Sequence, residues 1–204
     1  MPGDMSNHEY VDFGLPSGLL WATCNVGASM PEDYGGYFAW GETTIKSTYY
    51  WNTYKWCNGS ETTLTKYCTN SNYGTVDNRT TLDPEDDAAH VNWGGNWRMP
   101  TSAEWEELYD NTTSTWTTEN DVNGYKFTSK TNSNKYIFLP AAGSRNGTSV
   151  YDAGFLGNYW SSSLGSPDPD YAYYMYFYSD GVSPQSGTSR SYGFSVRPVR
   201  AAAR

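Results

Sequence analysis

Along this chain, short apolar and aromatic runs alternate with longer stretches rich in Gly, Asn, Ser and Thr. Short runs bounded by turn-forming residues predict β-strands. They occur at "YVDFGL", "LLWATCNV", "YFAWGE", "YKFTS", "YIFLPAAG", "YAYYMYFYS" and "YGFSVRPV". Two segments carry a helical period instead. In "MPTSAEWEELYDN", Thr101 and Glu104 have capping-box spacing, and Trp105, Leu108 and Tyr109 form an i, i+3, i+4 apolar stripe. "LDPEDDAAHVNW" predicts a second helix, with Asp83 as N-cap, Pro84 at the first helical position and acids in the first turn. The acids from Asp83 to Asp87 have two readings, a calcium site or a helix start solvated by its own carboxylates, and the second is the simpler. The stretch from Thr48 to Thr81 is polar, irregular and too long for a plain connector. It predicts an excursion pinned by Trp51, Trp56 and Tyr67. Few helices, many short strands and long loops make an α+β class.

The run "YAYYMYFYS" departs from both usual strand patterns. A strand buried on both faces carries Val, Ile and Leu, and a half-exposed one shows Lys, Thr or Glu on its wet side. Alternation places Tyr173, Met175 and Phe177 on one face and Tyr174, Tyr176 and Tyr178 on the other. Met175 and Phe177 are the natural core pair, so the three tyrosines are expected to point outward. One such tyrosine would pack under a loop. Three in a row beside Ser- and Gly-rich segments suit a binding surface, where tyrosine offers rigid contact area and small polar residues offer adaptable hydrogen bonds. In the closing "GFSVRPVR", Phe194 and Val196 are expected inward, Pro198 at an edge, and Arg197 and Arg200 in structural hydrogen bonds to loop carbonyls or carboxylates.

Composition narrows the functional classes. The 204 residues suffice for one sizeable domain, and 17% aromatics against 37% hydrophobic residues imply a core built from large rings. A formal charge of −9 argues against electrostatic nucleic-acid binding. No apolar run approaches the roughly 20 residues a membrane span needs, so direct membrane insertion is not expected. "MPGDMSNHEY" lacks the apolar core of a signal peptide. Cys24, Cys57 and Cys68 are too few and odd in number for a disulfide scaffold. A Cys57–Cys68 bridge and buried free thiols both remain open, and the second is preferred. Neither CxxC nor His-rich spacing appears, so no metal or other cofactor is expected.

Three phrases then carry a family resemblance. "VDFGLPSGLLWATCNVGASMPEDYGGYFAWGE" resembles the opening of many domains from gut Bacteroidetes and their phages. "WRMPTSAEWEEL" is similar to the R-L-P-T-x-A-E-W-E helix of the formylglycine-generating-enzyme branch of the C-type lectin fold. "GNYWSSS" through "YGFSVRPVR" resembles the variable C-terminal region of diversity-generating-retroelement proteins that use this fold. The resemblance runs from about Tyr10 to Arg200. It implies a C-type lectin fold with short mixed strands, two helices and long loops. The domain would span 10–200, with tails at 1–9 and 201–204 and a variable segment at about 151–192.

Within that family, formylglycine-generating enzymes oxidise with a copper-binding cysteine pair near the C-terminus, and here no cysteine follows Cys68. His8 and His90 both fall outside the tyrosine-rich region, so no Ser-His-Asp arrangement is offered either. The E-P-N, Q-P-D and W-N-D motifs of calcium-dependent sugar-binding lectins are missing. The resemblance therefore implies a non-catalytic, receptor-recognition protein, on a phage particle or a bacterial surface, whose ligand is a protein or glycan on a cell surface. Retroelement mutagenesis randomises adenines, chiefly in AAC codons, and never yields Trp, Met, Gln, Lys or Glu. Trp160, Met175 and Gln185 are then framework. In the right segment, Tyr159, Leu164, Asp168 and Asp170 are allowed products. So are Tyr174, Tyr176 and Tyr178, and after them Ser183, Ser189, Ser191 and Tyr192. These eleven residues are the expected ligand contacts. A fixed surface adhesin without diversification, and an inactive relative of the formylglycine-generating enzymes, are the alternatives.

Overall fold

A computed structural model of the chain describes residues 7–203. It is a strand-rich α+β structure. The first two predicted strands form β1 (Tyr10–Asp12) and β2 (Leu19–Ala22), and a final strand, β11 (Val199–Ala201), pairs antiparallel with β2. The two ends of the domain therefore close on one three-stranded sheet. The expected tails are shorter than drawn from the sequence. His8 stacks on Trp93 at 3.6 Å, and Ala201 completes β11 opposite Leu19. Residues 1–6 and 204 of those tails lie outside the described residues.

The Thr101 helix, α2 (Ser102–Asn111), has the expected capping box, with Thr101 Oγ1 accepting from Glu104 N–H and Glu104 accepting from Thr101 N–H. Helix α1 (Ala88–Trp93) starts later than expected. Pro84–Asp86 form a 3-10 turn, and the side-chain cap is Asp87 rather than Asp83. One Asp87 carboxylate oxygen takes the Ala89 and His90 N–H groups, and the other takes Met99 N–H. Asp86 is buried as well, bonded to Lys66 Nζ at 2.6 Å and to the Tyr67 hydroxyl at 2.7 Å. These acids are thus not a solvated helix start: two of them cap and pair inside the protein. Among the described residues no group of three or more His, Cys, Asp or Glu side chains is arranged to hold a metal.

A second sheet contains β3 (Thr112–Glu119), β4 (Val122–Ser129) and β5 (Tyr136–Pro140) in that order. A small hairpin follows, β6 (Ser144–Asn146) with β7 (Ser149–Tyr151). The third sheet has β9 (Tyr171–Tyr178) between β8 (Gly157–Leu164) and β10 (Gly181–Ser189). Two predicted strands do not form as strands, except that Val199, the last residue of the second, opens β11. "YFAWGE" and "YGFSVRPV" run as extended segments joined by the single Phe38–Phe194 bridge, because each spends its hydrogen bonds on several neighbours.

The third sheet stands between two aromatic cores. Tyr159, Met175 and Phe177 face Trp105 and Leu108 of α2 and the β4–β5 residues. Trp160, Leu164 and Ala172 face Trp40, Trp97 and Phe194 on the other side. The excursion packs as a third cluster around Tyr49 and Tyr54, with Trp51, Trp56 and Cys57 half-buried against it. Trp56 Nε1–H also donates to Gly41 O, and Tyr67 is buried in the Trp40 core. All three cysteines are free, so the Cys57–Cys68 bridge does not form. No helix among the described residues is long and apolar enough to cross a membrane.

Candidate ligand-binding site

In an antiparallel sheet, directly opposed residues share a face. Tyr174 lies between Trp160 and Ser186, and Tyr176 lies between Asn158 and Ser183. The alternation expected for β9 is therefore present, with Met175 and Phe177 fully inside. The three tyrosines on the other face are not equivalent. Tyr174 packs on Phe194 at 4.9 Å and on Trp160 at 6.0 Å, so it caps the core rather than pointing free. Tyr176 is half-buried, 6.2 Å from Tyr174 and 5.9 Å from Tyr178, which is 42% exposed. The result is a ladder of rings that climbs from the core to solvent. Burial, and then the adjacent tyrosine, push the Tyr174 and Tyr176 hydroxyls above the ordinary tyrosine range, so both stay protonated donors.

Polar groups flank the ladder. The bulge at Pro184–Gln185 keeps Ser183 and Ser186 on the tyrosine face, and their hydroxyls bond at 2.9 Å. Gln185 turns the other way and donates to Glu106 of α2. In the segment between β6 and β8, Tyr151 and Phe155 are 51% and 71% exposed.

The remaining candidates divide. Asp170, Ser189, Ser191 and Tyr192 line one cleft of about 370 Å³ beside the ladder. Tyr192 links the two regions, since its ring lies 6.4 Å from Phe194, which also carries Tyr174. Ser189 and Ser191 share a hydroxyl hydrogen bond at 2.9 Å, but Ser191 is only 2% exposed and is a structural position rather than the expected contact. Asp168 stands at the edge of the same region and accepts from the Tyr73 hydroxyl at 2.9 Å, which ties the β8–β9 loop to the excursion.

Two further candidates are corrected outright. Tyr159 has no exposed surface; its hydroxyl donates to Pro140 O and accepts from Asn25 Nδ2, deep in the α2 core. Leu164 is 5% exposed and packs in the opposite core. Both satisfy the codon rule, but β8 packs between the two cores and neither side chain reaches a ligand. Of the closing arginines, Arg197 makes the expected structural bonds, to Asn25 Oδ1, Ala22 O and Phe138 O. Arg200 makes none among the described residues: its guanidinium lies over the Tyr10 and Trp97 rings, and its Nε has no acceptor among them.

Sequence reasoning missed half of the cleft. Its far wall is Tyr49, Tyr50 and Trp51 from the excursion, with Glu61 at the rim. Tyr171 and Asn146 complete it. Tyr50 is held over the β6–β7 turn, where Gly147 has φ +60° and a Cβ would meet the Tyr50 hydroxyl. No local pattern signals these residues, because the excursion is folded back by distant contacts. Chief among these is Arg190, fully buried, which donates to Tyr54 Oη, Lys66 O, Tyr67 O and Pro169 O at 2.8–3.0 Å. A larger cleft, about 920 Å³, lies elsewhere, between Gly35–Gly36, Ile45 and Trp93. Among the described residues that line it are none of the candidates and no acidic or basic side chain other than His8.

Comparison with known proteins gives one match. A family model described as a domain of unknown function (DUF8237) is similar to residues 108–199, from the middle of α2 into β11. That span includes the tyrosine ladder and the β-strand side of the cleft, but not the excursion wall. No curated protein and no solved structure matches the chain.

Proposed function

We propose that this chain is a non-catalytic recognition protein that binds a protein or glycan ligand through the tyrosine ladder and the adjoining cleft. The observation that carries this is the ladder itself. Tyr174, Tyr176 and Tyr178 share one face of a strand whose other face is locked into the core, so the rings are displayed on a rigid support. A half-buried aromatic centre with serine hydroxyls at its edge has the make-up of an interaction hot spot and its polar rim. The resemblance to retroelement variable proteins extends the reading: the ladder would be one variant of a diversified surface on a C-type lectin scaffold. Support for that scaffold comes from chain ends paired in one antiparallel sheet, two helices, and a long excursion folded onto a three-stranded sheet.

The test is binding by intact cells. The protein, biotinylated and tetramerised on fluorescent streptavidin to gain avidity, is applied to a panel of gut bacterial strains and read by flow cytometry. Staining of at least one strain is expected from the parent protein. The Tyr176→Ser/Tyr178→Ser variant should fall to background while its thermal midpoint changes by no more than about 4 °C, because the sites are partly or largely exposed. Equal staining by parent and variant would remove the ladder from the site and favour a fixed adhesin that binds through another face.

A further inference from the structure

The cleft beside the ladder has a composition of its own. Tyr50, Trp51 and Tyr171 supply accessible ring surface, and Glu61 and Asp170 supply two carboxyl groups. No lysine or arginine is among the described residues that line it. One Asp170 carboxylate oxygen is buried without any hydrogen-bond donor. We propose that this cleft takes the cationic end of a lysine or arginine side chain presented by a protein ligand. The proposal deepens the recognition reading and rests on it, since it names the chemistry that reading would use here.

Charge and ring geometry both favour a cation. Burial, and after it the neighbouring Asp168 and Glu61 carboxylates, raise the proton affinity of Asp170. Lys46 and Arg145 lie 5.4 Å and 5.6 Å from the ring centre of Tyr49, but neither lines the cleft: Lys46 is paired with Glu42, and Arg145 donates to Thr148 O. The opposing charge on Asp170 is Arg190, but that guanidinium is fully buried and its N–H groups are already given to Tyr54 and to three backbone carbonyls. It cannot turn into the cleft. A neutral ligand closing over the cleft would strip water from two carboxylates and return no charge, which is costly. An anion would be repelled. An ammonium or guanidinium group pairs with the carboxylates and lies against the ring faces, whose quadrupoles are negative. The protein's formal charge of −9 draws basic partners in the same sense.

The probes are small. Nα-acetyl-lysinamide and Nα-acetyl-argininamide are titrated into ¹⁵N-labelled protein, with Nα-acetyl-norleucinamide and methyl glucoside as neutral probes. The signals followed are the Trp51 indole N–H, identified by its loss in Trp51→Phe, and the Ser189 and Tyr192 amides. The two cations should give saturating shifts in the millimolar range that weaken with added salt. Binding should fall about threefold in Glu61→Gln and about tenfold in Asp170→Asn. Glu61 is exposed, so its variant keeps the fold and carries the test if Asp170→Asn does not. Equal shifts from norleucinamide, no shift from either cation, or unchanged cation affinity in Glu61→Gln would overturn the proposal. Shifts from methyl glucoside alone would make the cleft a neutral sugar site. Failure here would leave the ladder's cell-binding test untouched, so the two readings stand or fall separately.

Discussion

At the scale of single residues, Arg190 does work that its surroundings in the chain conceal. It sits in "GTSRSYG", a segment of small polar residues with the look of a surface loop. Its guanidinium has no exposed surface and lies 5.0 Å from the Trp40 ring centre. Four acceptors from the excursion and the β8–β9 loop converge on it. Removing it leaves those acceptors unpaired and a cavity behind, so Arg190→Ala should lose about 3–5 kcal/mol in urea unfolding. Arg190→Lys should recover only part, because an ammonium cannot meet this planar fan of acceptors. A loss below about 1 kcal/mol would mean that the excursion is held by its aromatic cluster alone. Tyr159 teaches the same lesson from the other side. Residue type and codon class place it with Tyr178, yet one is in the core and the other in solvent. Nothing in either side chain decides this; the sheet position does.

Elements differ in legibility according to how local their cause is. Helix α2 is readable because its start is written within a few residues: Thr101 caps Glu104 N–H, and Glu104 answers both Thr101 N–H and Arg98. Strands β8 and β10 are not readable. "GNYWSSSL" and "GVSPQSGTS" carry turn-forming residues, and only pairing with β9 makes them strands. Strand β3, "TTSTWTTE", was legible in principle, since threonine favours strands, but its polarity hid it. The α2 start also yields a pH signature. Burial pushes the Glu104 carboxyl up, but Arg98 and the Thr101 N–H outweigh it and hold it below the ordinary glutamate range. A depressed acid stabilises the fold above its unfolded-state pKa, and that contribution is lost as pH falls through the folded-state value. Glu104→Gln should therefore cost about 1–3 kcal/mol at about pH 7. The difference from the parent should shrink by about pH 3. A gap independent of pH would assign the loss to packing. Asp87 and Asp170, both raised chiefly by burial, act in the opposite sense: stability falls as pH climbs through their raised values. The comparison with Glu104→Gln cancels them.

For the whole molecule, the β8–β9–β10 sheet is a wall with one face committed to the α2 core and the other graded from core to solvent. That grading divides the region from 151 to 192 into positions that tolerate any side chain and positions that do not. At Tyr159 or Leu164 a random draw of Asp, Gly or Arg would bury an unpaired polar group or open a cavity, and the fold would be lost. At Tyr176, Tyr178, Ser183, Ser189 and Tyr192 the same draw changes a surface. If the proposed diversification is real, the neighbouring DNA carries a near-identical copy of this segment, and its differences should respect the wall. They are expected at the codons for Tyr176, Tyr178, Ser183, Ser189 and Tyr192, at adenines in the copy. They should be missing at Tyr159, Leu164, Arg190 and Ser191, which are 5% exposed or less. Tyr174 lies between: it rests on Phe194 and Trp160 but keeps one open edge, so aromatic draws should be over-represented among functional variants. Sequencing the flanks of the gene decides it. A copy that varies at Tyr159 as freely as at Tyr178 would break the division between displayed and structural positions. No copy at all would leave an adhesin whose tyrosines are fixed, and the ladder would then have been selected for one ligand rather than drawn for many.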